Sequence, residues 1–213
     1  KIDLTKKQPQ IVGAIMFGEE EKVKELIKSG FDVNFKIDEQ MPLLQMAIVY
    51  GSHSIVKILI DAGANVDIRS SNEIPLTYFA IINNDIEILS ILIDAGANVN
   101  VKVLGKPLIV FAIMLASSEI VELLVDSGVD TNVNIDDTPL LVFSAFFTKE
   151  EIFSILLKSG LDINSKIGIT YLTHYICGSN FDSINKDYQR SMIQTLKNIK
   201  EECNTIIKDI DEN

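Results

Sequence analysis

The chain has 213 residues, 47% hydrophobic and 23% charged, with 30 acidic against 19 basic side chains and a net charge of −11. That much apolar material supports a substantial packed core and excludes a disordered chain. The acidic balance repels polyanions, so nucleic acid is not an expected partner. The longest apolar stretches, such as Pro107 to Ala116, fall well short of the ~18 to 20 residues that a membrane span requires, so no membrane partner is expected either. Cys177 and Cys203 stand apart, with neither metal-ligand spacing nor the density of a disulfide framework, and read as two reduced thiols. The sequence opens at Lys1 without an initiator methionine, so a trimmed or processed form is expected.

From the N-terminus onward the same punctuation returns. Pro9, Pro42, Pro75, Pro107 and Pro139 follow one another at intervals of 33, 33, 32 and 32 residues, and Gly30, Gly63, Gly96, Gly128 and Gly160 keep the same intervals. A period of this size marks a solenoid, in which each unit buries its apolar face only against its neighbours. The units expected are about 8–40, 41–73, 74–105, 106–137 and 138–169, followed by a degenerate unit and a capping helix over 170–213, all in one continuous domain, 1–213.

Each unit predicts two helices. Proline suits the first position of a helix, where its missing N–H has no partner to lose. After Pro42, Pro75, Pro107 and Pro139 come Leu43, Leu76, Leu108 and Leu140, then short apolar runs ending in the small residues Ala47, Ala80, Ala112 and Ser144. A small residue there lets a second helix approach closely. Those second helices read Ser54 to Ile60, Ile86 to Ile93 and Glu119 to Val125, with apolar residues at helical spacing and charges outward. Each stops at the glycine series, where a left-handed residue satisfies trailing carbonyls without a Cβ clash. An extended loop then leads to the next proline.

The sequence resembles the ankyrin repeat on two motifs that recur in register over roughly residues 8–176. The openings are Met41-Pro42-Leu43-Leu44, Ile74-Pro75-Leu76-Thr77, Lys106-Pro107-Leu108-Ile109 and Thr138-Pro139-Leu140-Leu141. The exits include Gly63-Ala64-Asn65-Val66-Asp67 and Gly96-Ala97-Asn98-Val99-Asn100. The resemblance implies an all-α fold: an ankyrin-repeat solenoid of helix-turn-helix units joined by extended finger loops. Two departures stand out. The histidine usual in the opening is replaced by Leu44, Thr77, Ile109 and Leu141, so apolar packing must substitute for its hydrogen bond. The proline-to-glycine separation is 21 residues (Pro42 to Gly63, Pro107 to Gly128), one more than the family pattern, which implies a longer first helix and a stubbier finger.

The last helix carries Tyr188, Met192, Ile193, Leu196, Ile199, Cys203, Ile206, Ile207 and Ile210 on one stripe, with Lys197, Lys200, Glu201, Lys208 and Asp209 elsewhere; this mixed-sign polar face disfavours the rival reading of an amphipathic helix for a membrane or partner. Terminal solenoid units need a polar outer side, so this reads as a C-terminal cap.

No catalytic, cofactor or metal site is expected. His53 and His174 are far apart and lack companions at triad or metal-ligand spacing, and no phosphate-binding glycine loop occurs. Paired acids such as Glu19-Glu20-Glu21, Asp136-Asp137 and Glu201-Glu202 read as surface charge.

The resemblance implies binding of another protein. In the family, two positions before the inter-helix turn face the concave groove; here they are Met16 and Phe17, Val49 and Tyr50, Ile82 and Asn83, Met114 and Leu115, Phe146 and Phe147. Nine of these ten are apolar, which marks either a binding stripe or, if the longer helix rotates them, part of the core. The expected anchors are Phe17, Tyr50, Met114, Leu115, Phe146 and Phe147, rimmed by Asp38, Glu39, Arg69, Glu73, Lys102, Lys106, Asp136 and Asp137. The function expected is a monomeric, non-enzymatic interaction scaffold, cytoplasmic or, alternatively, secreted or host-delivered. The alternatives are a module for a small apolar ligand and a host-directed effector of a bacterium or virus. Asn34 and Asn164 match the family's asparagine-hydroxylation context and read mainly as loop-bonding residues.

Overall fold

A computed structural model describes residues 4–37, 40–50, 52–70, 72–135, 138–140, 143–144 and 150–159. The chain divides into two compact units, Lys1–Thr131 and Asn132–Asn213. The first holds α1 (Leu4–Met16), α2 (Glu20–Lys28), β1 (Lys36–Ile37), β2 (Met41–Pro42), α3 (Leu43–Val49), α4 (His53–Asp61), α5 (Leu76–Ile82), α6 (Ile86–Asp94), β3 (Lys102–Val103), β4 (Lys106–Pro107), α7 (Leu108–Leu115) and α8 (Ser118–Asp126). Described in the second are β5 (Asn134–Ile135), β6 (Thr138–Pro139) and α9 (Glu150–Lys158). The sixth unit and capping helix expected over 170–213, with Cys177, Cys203 and His174, lie outside the described residues.

Within the first unit the helices form two rows. The first helices α1, α3, α5 and α7 pack in succession on one another, the second helices α2, α4, α6 and α8 do likewise, and each first helix packs on the second helix that follows it. The interior is written at repeat-equivalent positions: Leu43, Leu76 and Leu108, then Ala14, Ala47, Ala80 and Ala112, are all buried. The alanines occupy the close-approach position that the small-residue series predicts. From α4, α6 and α8 come Ile55, Val56, Leu59, Ile88, Leu89, Leu92, Ile120, Val121 and Leu124, also buried. Each fully buried Leu or Ile contributes about 1.5 to 3 kcal/mol relative to exposure. Among the described residues of the second unit, Leu140, Ser144, Ile152 and Leu156 are buried.

The glycine series behaves as its chemistry requires. Gly30, Gly63, Gly96 and Gly128 have φ of 87°, 91°, 89° and 79°. Gly63 N–H donates to the Ile60 carbonyl and Ala64 N–H to the Leu59 carbonyl, and the same paired bonds recur at Gly30, Gly96 and Gly128. This is the Schellman closure of a helix, completed by an apolar contact position after the glycine, here Phe31, Ala64, Ala97 and Val129, all buried.

The proline series needs a correction. Pro42, Pro75 and Pro107 sit one residue before the helix rather than at its first position, with extended backbone (φ −57° and ψ 144° at Pro42). The reason lies in the finger loops. Pro42 pairs with Lys36, Pro107 with Lys102 and Pro139 with Asn134 in two-residue antiparallel ladders, and Pro75 bridges Arg69. The finger's base supplies the cap instead: Leu43 N–H donates to the Phe35 carbonyl and Leu108 N–H to the Val101 carbonyl, each satisfying a donor at the helix start that the helix itself leaves open. Pro9 departs further, lying inside α1, where it has no N–H to return to the preceding turn.

Neighbouring repeats are joined by side chains on the loops after the glycines. Asn34 Oδ1 accepts from Asn65 N–H, Asp67 Oδ1 from Asn98 N–H and Asn100 Oδ1 from Asp130 N–H, at 2.7, 3.0 and 2.6 Å. Asn34 is thus a loop-bonding residue, as its position implies; Asn164 lies outside the described residues.

Candidate protein-binding surface

The first helices end at an inter-helix turn, and their last residues decide what that edge presents. Tyr50 and Asn83 close α3 and α5 in helical conformation, with backbone N–H groups bonded to the carbonyls of Met46 and Phe79. Their backbone is therefore satisfied and only side chains are on offer. α7 runs one residue further than α3 or α5, and Ala116 leaves it in an extended conformation (φ −109°, ψ −179°). Asn84, left-handed at φ 53°, bridges to this altered turn by accepting the Ser117 N–H at 2.8 Å.

At the eight described candidate positions every side chain is exposed. The seven apolar ones, Met16, Phe17, Val49, Tyr50, Ile82, Met114 and Leu115, range from 41% exposed at Ile82 to 78% at Phe17. The core alternative fails at these positions: the residues that fill the interior of the same helices, such as Ile48, Ile81 and Ile113, are buried one or two places earlier. Phe146 and Phe147 lie outside the described residues. Because consecutive first helices stack, the exposed side chains fall in a row along one edge of the first unit.

Charge is arranged around this row by the same register. Glu19, Glu20 and Glu21 follow Phe17, Asp85 and Glu87 follow Asn83, and Glu119 follows Leu115. Asp85 caps α6 by accepting the Ile88 N–H at 3.0 Å. His53, at the start of α4, meets it: Nε2 lies 2.9 Å from Asp85 Oδ2 and Nδ1 lies 3.1 Å from Glu87 Oε2. The imidazole therefore ties one turn to the next. Its companions are the capping carboxylate of Asp85 and the first-turn carboxylate of Glu87 rather than a nucleophile or a metal set. Glu21 pairs with Lys24 at 2.7 Å; the lysine's hydrogen bond and charge hold the carboxyl below its ordinary range, and the carboxylate raises the ammonium of Lys24.

The finger loops form the opposite edge. Of the expected rim, Arg69, Glu73, Lys102 and Lys106 are described, whereas Asp38, Glu39, Asp136 and Asp137 lie outside the described residues. Arg69 donates to the Glu73 carbonyl at 2.7 Å, and Lys36 donates to the Arg69 carbonyl at 3.1 Å, binding adjacent fingers together. The hairpin between β3 and β4 turns on Leu104 and Gly105, both with positive φ (50° and 81°), the pattern of a type I′ turn. Leu104 is 79% exposed there. Leu104, Met41 and Ile86 are exposed apolar residues absent from the expected anchors; the signal for Leu104 was a Leu-Gly pair set between Lys102 and Lys106.

No group of three or more His, Cys, Asp or Glu side chains suited to a metal occurs among the described residues. Nor does any helix among them have the length and apolarity to cross a membrane.

Residues 11–103 match the family model for ankyrin repeats, in three copies. Residues 11–103 are a run of ankyrin repeats. Their helical pairs, left-handed glycine exits and hairpin fingers are the ankyrin-repeat architecture. No curated protein matches the chain. Ankyrin repeats are generally protein–protein interaction modules and the family is typically non-catalytic.

Proposed function

We propose that this chain is a non-enzymatic ankyrin-repeat scaffold that binds a partner protein through the groove edge formed by its first-helix ends, together with the finger loops. The supporting observation is the exposure of all eight described groove positions, seven of them apolar. Folding alone gives no reason to leave Phe17, Tyr50, Met114 and Leu115 in water, and contiguous exposed apolar side chains characterise interaction surfaces. Phe146 and Phe147, the other two expected anchors, lie outside the described residues.

The test is affinity capture with the wild-type chain and a Tyr50→Glu, Met114→Glu double variant, with retained proteins identified by mass spectrometry. The reading requires a partner that the wild type retains and the equally helical variant loses. A variant that unfolds would place these residues in the core; capture that survives the substitutions would move binding elsewhere.

A further inference from the structure

We propose that the occupant of this row is a basic amphipathic α-helix of about five turns. The inference rests on the protein-binding reading above and adds the partner's chemistry.

Charge argues for the sign. The four turn segments 16–21, 49–54, 82–87 and 114–119 contain Glu19, Glu20, Glu21, Asp85, Glu87 and Glu119 and not one lysine or arginine. The finger segments 35–41, 68–74 and 101–107 are close to balance, with Lys36, Arg69, Lys102 and Lys106 against Asp38, Glu39 and Glu73. The apolar row therefore runs beside an acidic border, and the finger side carries no comparable acidic excess. Acidic residues at the start of a helix are favoured by its macrodipole, which accounts locally for Glu20, Glu21, Glu87 and Glu119. No such account covers the seven exposed apolar side chains next to them. A ligand that buries those side chains brings its own flanks against the carboxylates, and cationic flanks are selected while acidic ones are repelled.

Backbone chemistry argues for a helix. At Tyr50, Asn83 and Ala116 the N–H groups are bonded within their own helices, so the row offers no open strand edge. An extended segment laid on it would bury N–H and C=O groups without partners, whereas a helix satisfies its own. Length follows from the stacking. Four first helices spaced about 9 Å apart give a row of roughly 27 Å, which a helix of about 18 residues spans at ~1.5 Å per residue.

The experiment is a display selection of random peptides of about 18 residues against the full chain, followed by fluorescence anisotropy on the enriched sequences. Expected winners carry apolar residues at three- and four-residue spacing with lysine or arginine beside them, and gain helicity on binding. Their affinity falls at least about tenfold for a Glu20→Gln, Glu87→Gln, Glu119→Gln variant, and by a similar factor between about 50 and 300 mM salt on the unmodified chain, where screening weakens the charge term. The salt arm needs no variant and so stands whether or not the triple substitution perturbs folding. Winners that depend on Tyr50 and Met114 but are neutral or acidic, or indifferent to salt, overturn this inference and leave the groove reading intact. Winners unaffected by Tyr50→Ser and Met114→Ser overturn both, as does a selection that enriches nothing.

Discussion

Asn34 and Asn65 are joined across consecutive repeats: the Asn34 side-chain oxygen accepts the Asn65 backbone N–H at 2.7 Å, while the Asn34 amide donates to the Gly63 carbonyl at 3.2 Å. Asn100 repeats both bonds, to Asp130 N–H and the Gly128 carbonyl. Asp67, at the equivalent place, accepts from Asn98 N–H, but a carboxylate has no N–H to give the Gly96 carbonyl. Asn34→Ala is expected to lower stability by about 1 to 2 kcal/mol, and Asp67→Asn to raise it by about 0.5 to 1 kcal/mol, from the net worth of one or two such bonds. Urea unfolding of the two variants checks this; a loss on Asp67→Asn would show that the negative charge itself matters there.

Leu104 holds φ 50° at an exposed hairpin tip, a conformation that costs a residue with a bulky Cβ substituent on the order of 1 kcal/mol. Asparagine before glycine is the favoured type I′ pair. Leu104→Asn should therefore stabilise the chain by about 1 kcal/mol, read as a shift of the urea midpoint at unchanged slope. No change in midpoint would mean the wild-type turn carries no strain.

Thr77 is 2% exposed and its hydroxyl finds no partner among the described residues. Repeats on either side place Leu44 and Ile109 at this position, both buried. Replacing the hydroxyl with a methyl keeps the shape and removes the desolvated group, so Thr77→Val is expected to gain about 1 kcal/mol. Thr77→Ser, which keeps the hydroxyl and deletes the methyl, is expected to lose stability, and thermal melts of the two variants should move in opposite directions.

The Glu21–Lys24 pair gives a pH dependence with a definite sign. The Glu21 carboxyl is held below its ordinary value by the lysine, so its contribution is present above the unfolded carboxylate value and is lost as pH falls through the lowered one. Lys24 is raised, so its share is present below the ordinary lysine value and is lost as pH rises through the raised one. Both groups are at the surface, and the effect on stability is small. Carboxyl NMR should show the Glu21 midpoint move upward in a Lys24→Ala variant; an unmoved midpoint would show that the two do not interact in solution.

What could be read from the chain follows the range over which each residue acts. The glycines were legible because a left-handed residue is a property of one position, and Gly63 and Gly96 carry it wherever the helix ends. The prolines were legible as markers but misplaced by one residue, because Pro42 answers to Lys36 across a hairpin as well as to the helix it precedes. The resemblance to the ankyrin repeat singled out Tyr50 and Met114 as candidates, yet the sequence could not tell groove from core, since one residue of phase separates Ile48 and Ile113 from their exposed neighbours. His53 looked isolated because its partners, Asp85 and Glu87, belong to the next repeat. Relationships of that span are fixed by stacking, which no local pattern records.

The bonds from Asn34, Asp67 and Asn100 have a consequence for how such a chain can grow. Each reaches only the adjacent repeat, and the cassette from Ala64 to Gly96 contains both halves of the joint: Asn65 offers its N–H backward and Asp67 its oxygen forward. A duplicated copy of that cassette would find a ready acceptor behind it and a ready donor ahead. Gene duplication could thus lengthen the array in whole steps, and deletion shorten it, without a compensating change elsewhere.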